Sequence, residues 1–218
     1  MDFAGINPLY LIFGLTVIGL ASFAIMMVTS YVKIVVVTSL LRNALGVQQV
    51  PPAMVMNGLA IILTVFIMAP VGSDTLDLLE KQQFSTSPTP AELAQAIANV
   101  SPPLRSFLVR NTDPTVLNVF MNTAQRIWPK EHTRKLNRED MLVLVPAFTI
   151  TELTLAFQIA FLLYLPFVAI DLIISNVLLA MGMMMVSPMT ISLPFKLLLF
   201  VTLDGWLKVS QGLLLSYK

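Results

Sequence analysis

The 218-residue sequence contains no cysteine, a single histidine and few charged residues. Without cysteine the chain forms no disulfide, thiolate metal site or cysteine nucleophile, and one histidine alone does not make a zinc site. Charged residues make up 11% of the chain, against roughly 25% in an ordinary soluble domain, whereas 56% of the residues are hydrophobic. The net charge of +1 gives no electrostatic reason to expect a nucleic acid partner. This composition indicates a membrane-type chain and argues against a soluble enzyme.

The motifs of common catalytic sites are missing as well. The sequence has no HExxH zinc motif, no GxxxxGK[ST] phosphate loop and no GxGxxG dinucleotide motif. It also lacks the GxSxG turn that presents a serine nucleophile. We therefore predict that the protein is not an enzyme and binds no cofactor.

The charges that are present are unevenly placed. Of the 13 basic and 12 acidic residues, eight of each fall in residues 74–140, which we call the polar segment. A helix needs about 20 apolar residues to cross a bilayer core, and the flanking sequence provides several such runs. We predict an all-α chain of three parts: N-terminal hydrophobic helices in 1–73, the polar segment, and C-terminal hydrophobic helices in 141–218. The predicted helices lie near 9–32, 53–72, 141–170 and 172–195, with a shorter apolar segment at 197–217.

The first basic residues suggest an orientation. Residues 3–32 carry no charge, and Lys33 follows them, so the basic region that opens a secretory signal is missing. We expect a retained helix there. Lys33 and Arg42 place the first connection in the cytoplasm by the positive-inside rule, which puts the polar segment on the opposite, periplasmic side.

The polar segment shows helix start signals and apolar faces, and is predicted to fold as a small helical module. The start signals are Thr89-Pro90-Ala91-Glu92, Ser101-Pro102, Asp113-Pro114, and Asn137 with Asp140 ahead of the third long helix. The apolar faces are Leu93, Ile97 and Val100, and Val116, Val119, Phe120 and Ile127. Residues 126–140 mix both signs of charge around His132, which is typical of a solvated surface.

Three charged residues lie within or at the ends of apolar runs: Glu152, Asp171 and Lys196. A charge at the bilayer centre costs at least about 2.5–3.5 kcal/mol. For Asp171, a helix end at the headgroups and a buried contact are equally compatible with the pattern. Glu152 has apolar sequence on both sides, so we predict a buried partner for it. Four prolines also interrupt the C-terminal apolar run, which is tolerated where protein rather than lipid surrounds the backbone: Pro146, Pro166, Pro188 and Pro194.

Five of the 13 methionines fall in residues 181–189. Met183, Met184 and Met185 are consecutive, between Gly182 and Ser187-Pro188. One interpretation is a hydrophobic helix end packed in a core. The other is a deformable hydrophobic constriction, because methionine is flexible and apolar, and such a ring gates a pore by excluding water.

A series of segments, in the same order along the chain, resembles a known family. They are LLRNALG at 40–46, QQVPP at 48–52, PAF at 146–148, EL at 152–153, AF at 156–157, YLPF at 164–167, DL at 171–172, MGMMM at 181–185, SP at 187–188, residues 191–200, and DGW at 204–206. The chain resembles the FliP/SctR family, the core export-gate subunit of flagellar and virulence type III secretion systems, and its virulence-type members more closely. The resemblance covers about 33–73 and 141–210. Ala53 and Thr154 depart from the family pattern.

The resemblance implies a pentameric helical ring that joins copies of a small two-helix subunit (SctS/FliQ type) and one larger subunit (SctT/FliR type). Other export-gate and inner-rod components would surround it in the secretion basal body. It implies that the protein is located in the bacterial inner membrane, with much of the assembly at or above the periplasmic face. Unfolded secreted proteins would enter through this gate. By the same resemblance, Met183, Met184 and Met185 line a pore constriction, and Glu152 and Lys196 form an intersubunit ion pair.

Two alternatives remain open from the residues. A secondary transporter of small solutes or ions would use Glu152 or Asp171 as a proton site. Inverted repeats would favour it, and none is evident between the two halves. An intramembrane enzyme would need a nucleophile or metal set that the sequence does not show.

Overall fold

The computed structural model of the protein describes residues 8–47, 50–82, 90–133 and 136–217. Every regular element in these ranges is a helix, which confirms the predicted all-α class. The helices are α1 (Pro8–Met27), α2 (Tyr31–Ala44), α3 (Ala53–Glu80), α4 (Pro90–Val100), α5 (Pro102–Asn111), α6 (Pro114–Ile127), α7 (Lys130–Thr133), α8 (Met141–Ala180), α9 (Pro188–Thr202) and α10 (Gly205–Leu215).

The long helix α8 organises the packing, because α2, α5, α6 and α9 all contact it. Its first half shares a hydrophobic cluster with α5 and α6, formed by Phe107, Leu108, Leu117, Ala124, Val143, Leu144, Ala147 and Phe148. Its middle meets α2, α3 and α10 around Ile34, Val37, Ala60, Ala156 and Leu213. A third cluster joins α8 to α9 and the end of α2 through Leu41, Ala44, Leu45, Phe167 and Phe200. Helices of the polar segment thus share a core with α8, and the three-part domain division stays a prediction.

The predicted helix boundary at Asp171 is wrong. Helix α8 continues to Ala180 and contains Pro146 and Pro166 in its interior. Each proline removes one backbone hydrogen bond, and the helix persists because it is packed along α2 and other helices. The carboxylate of Asp171 is bound by side chains of α9, so it does not need a helix end. The predicted helix 172–195 is therefore two elements, with a turn before α9 begins at Pro188.

The N-terminal predictions also need correction. The predicted helix 9–32 is divided, since α1 ends at Met27 and α2 begins at Tyr31. Helix α2 forms because apolar residues repeat on one face and pack against α3 and α8. Helix α3 starts at the predicted position but extends beyond residue 72 to Glu80. The apolar segment 197–217 is likewise divided, by a bend between α9 and α10.

The helix start signals gave mixed results. Asp113 caps α6 as predicted, by accepting a hydrogen bond from a backbone N–H two residues later. Asp140 caps α8 itself, so the prediction of Asn137 as the cap is wrong; Asn137 instead accepts from the next backbone N–H in the preceding turn. Helix α5 begins at Pro102 with Ser101 at its N-cap position, as predicted, but the Ser101 side chain makes no capping hydrogen bond and its hydroxyl donates back to α4. The signal at Thr89 lies outside the described residues.

The apolar faces of the polar segment are partly wrong. On α6 the buried residues are Leu117 and Ala124, whereas Val119 is 57% and Ile127 70% exposed. The face is rotated because the buried stripe follows the contact with α8. On α4, Ile97 is exposed. Other members of the predicted faces pack against the core or are half-buried: Val116, Phe120 and Val100. The side chain of Leu93 lies outside the described part of the chain.

Two described helices, α3 and α8, are long and apolar enough to cross a membrane. Helices α9 and α10 pass the same test as a pair bent by 58°. Length and composition thus allow two or three spans in the described residues.

Candidate functional site

A glycine turn ends α8 and presents the methionine-rich stretch 181–189, which we call the methionine turn. Gly182 has φ +73°, a left-handed conformation that favours glycine because other residues have a Cβ clash there. Its N–H donates to the Leu179 carbonyl at 3.0 Å, and the Met183 N–H donates to the Leu178 carbonyl at 2.9 Å. These two bonds are a Schellman motif, which satisfies the last carbonyls of a helix. The chain therefore leaves α8 in one defined direction.

The side chains of the methionine turn point away from the core of the chain. Met183 is 41% exposed, Met184 83% and Met185 100%. Met181 and Met189 are also exposed, at 67% and 63%. The interpretation that this stretch packs in the core of the chain is therefore wrong. A constriction formed between copies of the chain stays a prediction, and it needs side chains that are free in this way.

The turn is anchored by a polar group that we call the Asp171 cluster (Asp171, Ser192 and Lys196). Lys196 Nζ lies 2.6 Å from Asp171 Oδ2, and the Ser192 hydroxyl donates to Asp171 Oδ1 at 2.6 Å. Lys196 is 4% exposed and Asp171 35%. The cluster joins α8 to α9 on both sides of the methionine turn. Asp171 thus has a contact within the protein, and the interpretation that it only marks a helix end is wrong.

Lys196 also reaches the end of a third helix. Its ammonium donates to the Ala44 carbonyl at 3.2 Å, in the last turn of α2. A cation at a helix C-terminus satisfies free carbonyls and interacts favourably with the helix dipole. Gly46, with φ +73°, turns the chain just beyond this contact. One ammonium therefore holds α2, α8 and α9 together.

A second polar group lies nearer the N-terminus of α8, and we call it the Glu152 cluster (Lys33, Glu152 and Tyr217). Lys33 Nζ lies 3.0 Å from Glu152 Oε1, and the two side chains are 2% and 0% exposed. The prediction that Glu152 has a buried partner is confirmed, and the partner is Lys33 of α2. Buried charges need such compensation, since an unpaired charge in the interior is strongly destabilising.

Tyr217 completes the Glu152 cluster. Its hydroxyl donates to Glu152 Oε2, and the Lys33 ammonium lies 3.9 Å from the centre of its ring. The ring stacks on Phe107 of α5 at 5.9 Å between centroids. Tyr217, two residues after the end of α10, therefore links α2, α5 and α8 around the buried pair, with a hydrogen bond and a cation–π contact.

Within one chain the structure does not bring Glu152 and Lys196 together. Glu152 pairs with Lys33, whereas Lys196 pairs with Asp171. The two carboxylates are 19 positions apart on α8, which corresponds to about 28 Å along a helix. An ion pair between subunits stays a prediction.

Sequence reasoning missed Lys33 and Tyr217. Lys33 served only as an orientation signal, although it follows a long uncharged stretch and precedes the apolar run of α2. The rule that predicted a partner for Glu152 applies equally to it. Tyr217 had no comparable signal, because an aromatic residue near an apolar helix is compatible with many environments.

Comparisons with known proteins agree with the family resemblance in the sequence. Residues 14–213 match the FliP family, including the polar segment, for which the sequence alone showed no match. "Yop proteins translocation protein R" of Yersinia pestis is 51% identical over 212 residues, which is 97% of each chain. "Hypersensitivity response secretion protein HrcR" of Ralstonia nicotianae is 48% identical over 202 residues, 92% of this chain and 93% of that protein. "Virulence protein YscR" of Salmonella typhimurium is also 48% identical over 202 residues, 92% of each. The chain therefore belongs to the FliP family, as the resemblance in its sequence predicts.

Proposed function

We propose that this chain is a core subunit of the type III secretion export gate, and that copies of it form the channel through which unfolded secreted proteins enter the bacterial inner membrane. The names of its relatives refer to translocation, secretion and virulence. The observation that carries the proposal is the exposed methionine turn at the end of α8. The small-solute transporter has no support among these relatives.

The chemistry of the turn suits a gate for polypeptides. A seal must exclude water and ions at rest, which requires apolar side chains. It must also deform around chains of changing shape, which requires side chains with several rotatable bonds and no fixed outline. Met184 and Met185 meet both requirements and are 83% and 100% exposed in the single chain. Several turns arranged around one axis would form such a seal.

The surface of the chain supports assembly with lipid and other subunits. Large apolar side chains are exposed along several helices, beyond what a monomeric soluble protein presents. Those on α3 include Ile61, Ile62, Val65 and Phe66, and those on α8 include Phe157, Phe161, Leu162 and Ile173. In the proposed assembly these faces contact other copies in a homopentamer, the two-helix and larger export subunits, and lipid. The polar segment then faces the periplasm.

Ion conductance of membranes that carry the assembled complex tests the gate. Replacing Met183, Met184 and Met185 together with alanine should open the seal, so that small ions leak through the closed complex. Met54→Ala is the matched control, because Met54 is 87% exposed but lies at the start of α3. The control should conduct no more than the parent protein.

The native mass of each detergent-purified complex must be measured alongside conductance. A fivefold ring in all three proteins makes the conductances comparable. An intact ring whose conductance is unchanged by the triple alanine variant would contradict the gate. A parent protein that is a monomer under these conditions would contradict the ring.

A further inference from the structure

We propose that the methionine turn is an oxidation site: a peroxide converts its exposed thioethers to sulfoxides, and this modification unseals the closed gate. The effect on the gate rests on the proposed function. The oxidation itself rests only on the chemistry and exposure of the side chains.

The exposure of the sulfur-bearing side chains differs widely along the chain. In the single chain Met185 is 100% and Met184 83% exposed, and they leave a turn rather than a helix face. In the proposed ring they line the axis, and hydrogen peroxide, a molecule little larger than water, reaches them from the two open sides of the seal. Met56, inside α3, is 2% exposed. Oxidation requires that the oxidant reach the sulfur, so accessible methionines react first. The methionine turn therefore concentrates reactive thioethers in nine residues of the sequence.

The reaction is a two-electron oxygen transfer. A sulfur lone pair attacks one oxygen of hydrogen peroxide, the O–O bond breaks, and an S–O bond forms. The proton of the transferred oxygen passes to the departing hydroxide, which leaves as water. Sulfur is oxidised by two electrons, the peroxide is reduced, and no protein group gains or loses a proton. Methionine sulfoxide reductases reverse this change.

The product has the opposite property from the one that a seal needs. A sulfoxide is polar and its oxygen accepts hydrogen bonds, so it disrupts apolar methionine-rich contacts. In a ring, each oxidised position is repeated in every copy around the axis. Water that a ring of thioethers excludes would then find several acceptors at the constriction. Oxidation should thus act on the gate as the alanine substitutions do, without changing the sequence.

The test uses membranes that carry the assembled complex, treated with hydrogen peroxide. Peptide mass mapping should find sulfoxide at Met184 and Met185 well before it appears at Met56. Ion conductance should rise with the same time course and should fall again after treatment with methionine sulfoxide reductases. Replacing the triplet with leucine should abolish the increase, measured against the variant's own untreated membranes. Met54→Leu should leave the increase intact.

The outcomes separate the two proposals. If Met184 and Met185 resist peroxide as Met56 does, the oxidation site is refuted whatever the gate does. If they are oxidised without a leak, while the triple alanine variant does leak, the gate stands and its sensitivity to oxidation is refuted. If neither treatment produces a leak in an intact ring, the proposed function fails first and the inference fails with it. The mapping and the reversal use the parent protein, so they do not depend on how the leucine variant folds.

Discussion

The buried pair between Lys33 and Glu152 allows a quantitative prediction. Lys33→Met keeps most of the apolar stem but removes the ammonium that lies 3.0 Å from the carboxylate. Glu152, with 0% exposure, is then left without its cation. Removing one partner of a buried ion pair costs about 3–5 kcal/mol. We expect a loss of this size in the free energy of unfolding, and fewer assembled rings.

A double-mutant cycle tests whether the effect belongs to this pair. Glu152→Gln removes the other charge and keeps an amide oxygen that can accept from the Tyr217 hydroxyl. If the charges interact, the double variant should lose less stability than the two single variants added together, by at least about 1 kcal/mol, within the range for residues in contact.

The assay is denaturant unfolding of the detergent-purified protein, with native mass as a second readout. Lys208→Met is the control: Lys208 is exposed on α10, and surface changes usually stay within about 0.5 kcal/mol. Additive costs for Lys33 and Glu152 would refute the pairing. If Glu152 couples instead to Lys196, in the ring but not in the monomer, the intersubunit pair is correct.

Three smaller predictions follow from other contacts. Gly205→Ala should lower the free energy of unfolding by about 1–3 kcal/mol, the range for overpacking, because a Cβ there would overlap the Phe200 ring. Gly212→Ala is the control, and it should cause no loss because the space around Gly212 is open. Lys196→Met should destabilise the protein less than Lys33→Met, since the carboxylate that it leaves unpaired is 35% exposed and reaches water; an equal cost would contradict this. Hydrogen bonds from the backbone and side chain two residues later hold the pKa of Asp113 below its usual value. Its stabilisation of α6 should therefore be complete above the ordinary carboxylate pKa of about 4 and be lost as the pH falls through the lower folded-state value, which amide hydrogen exchange at the start of α6 would detect.

The sequence was sufficient for the helical class and for the need of Glu152 to have a partner, because both follow from local pattern. An apolar run with few charges has few alternatives to a helix, and a carboxylate inside it must be compensated. Which cation compensates it depends on which helices pack together. Lys33 and Glu152 are far apart in sequence and meet only because α2 lies along α8.

The helix boundaries failed for the same reason. Pro166 and Asp171 were expected to weaken or end the long C-terminal helix, as they would in an isolated peptide. In the folded chain, Phe167 next to the proline packs into the cluster that joins α8 to α2 and α9, and side chains of α9 bind the carboxylate. The true end, after Ala180, is set by Gly182. The sequence offered two possible ends for the helix, at Asp171 and at Gly182. Only the contacts that Asp171 makes in the folded chain show that the helix continues to the second.

The two clusters on α8 also have a mechanical meaning. The helix has 40 residues and is a rod of about 60 Å, fixed to its neighbours at Glu152 and again at Asp171. A rod held at one point pivots, whereas a rod held at two resists both tilting and rotation about its axis. The overhang beyond Asp171, about 14 Å of helix, lies outside the stretch between these two contacts and carries the methionine turn at its tip. In the proposed gate, a pull from a passing polypeptide would first rotate the methionine side chains, before it strained either ion pair.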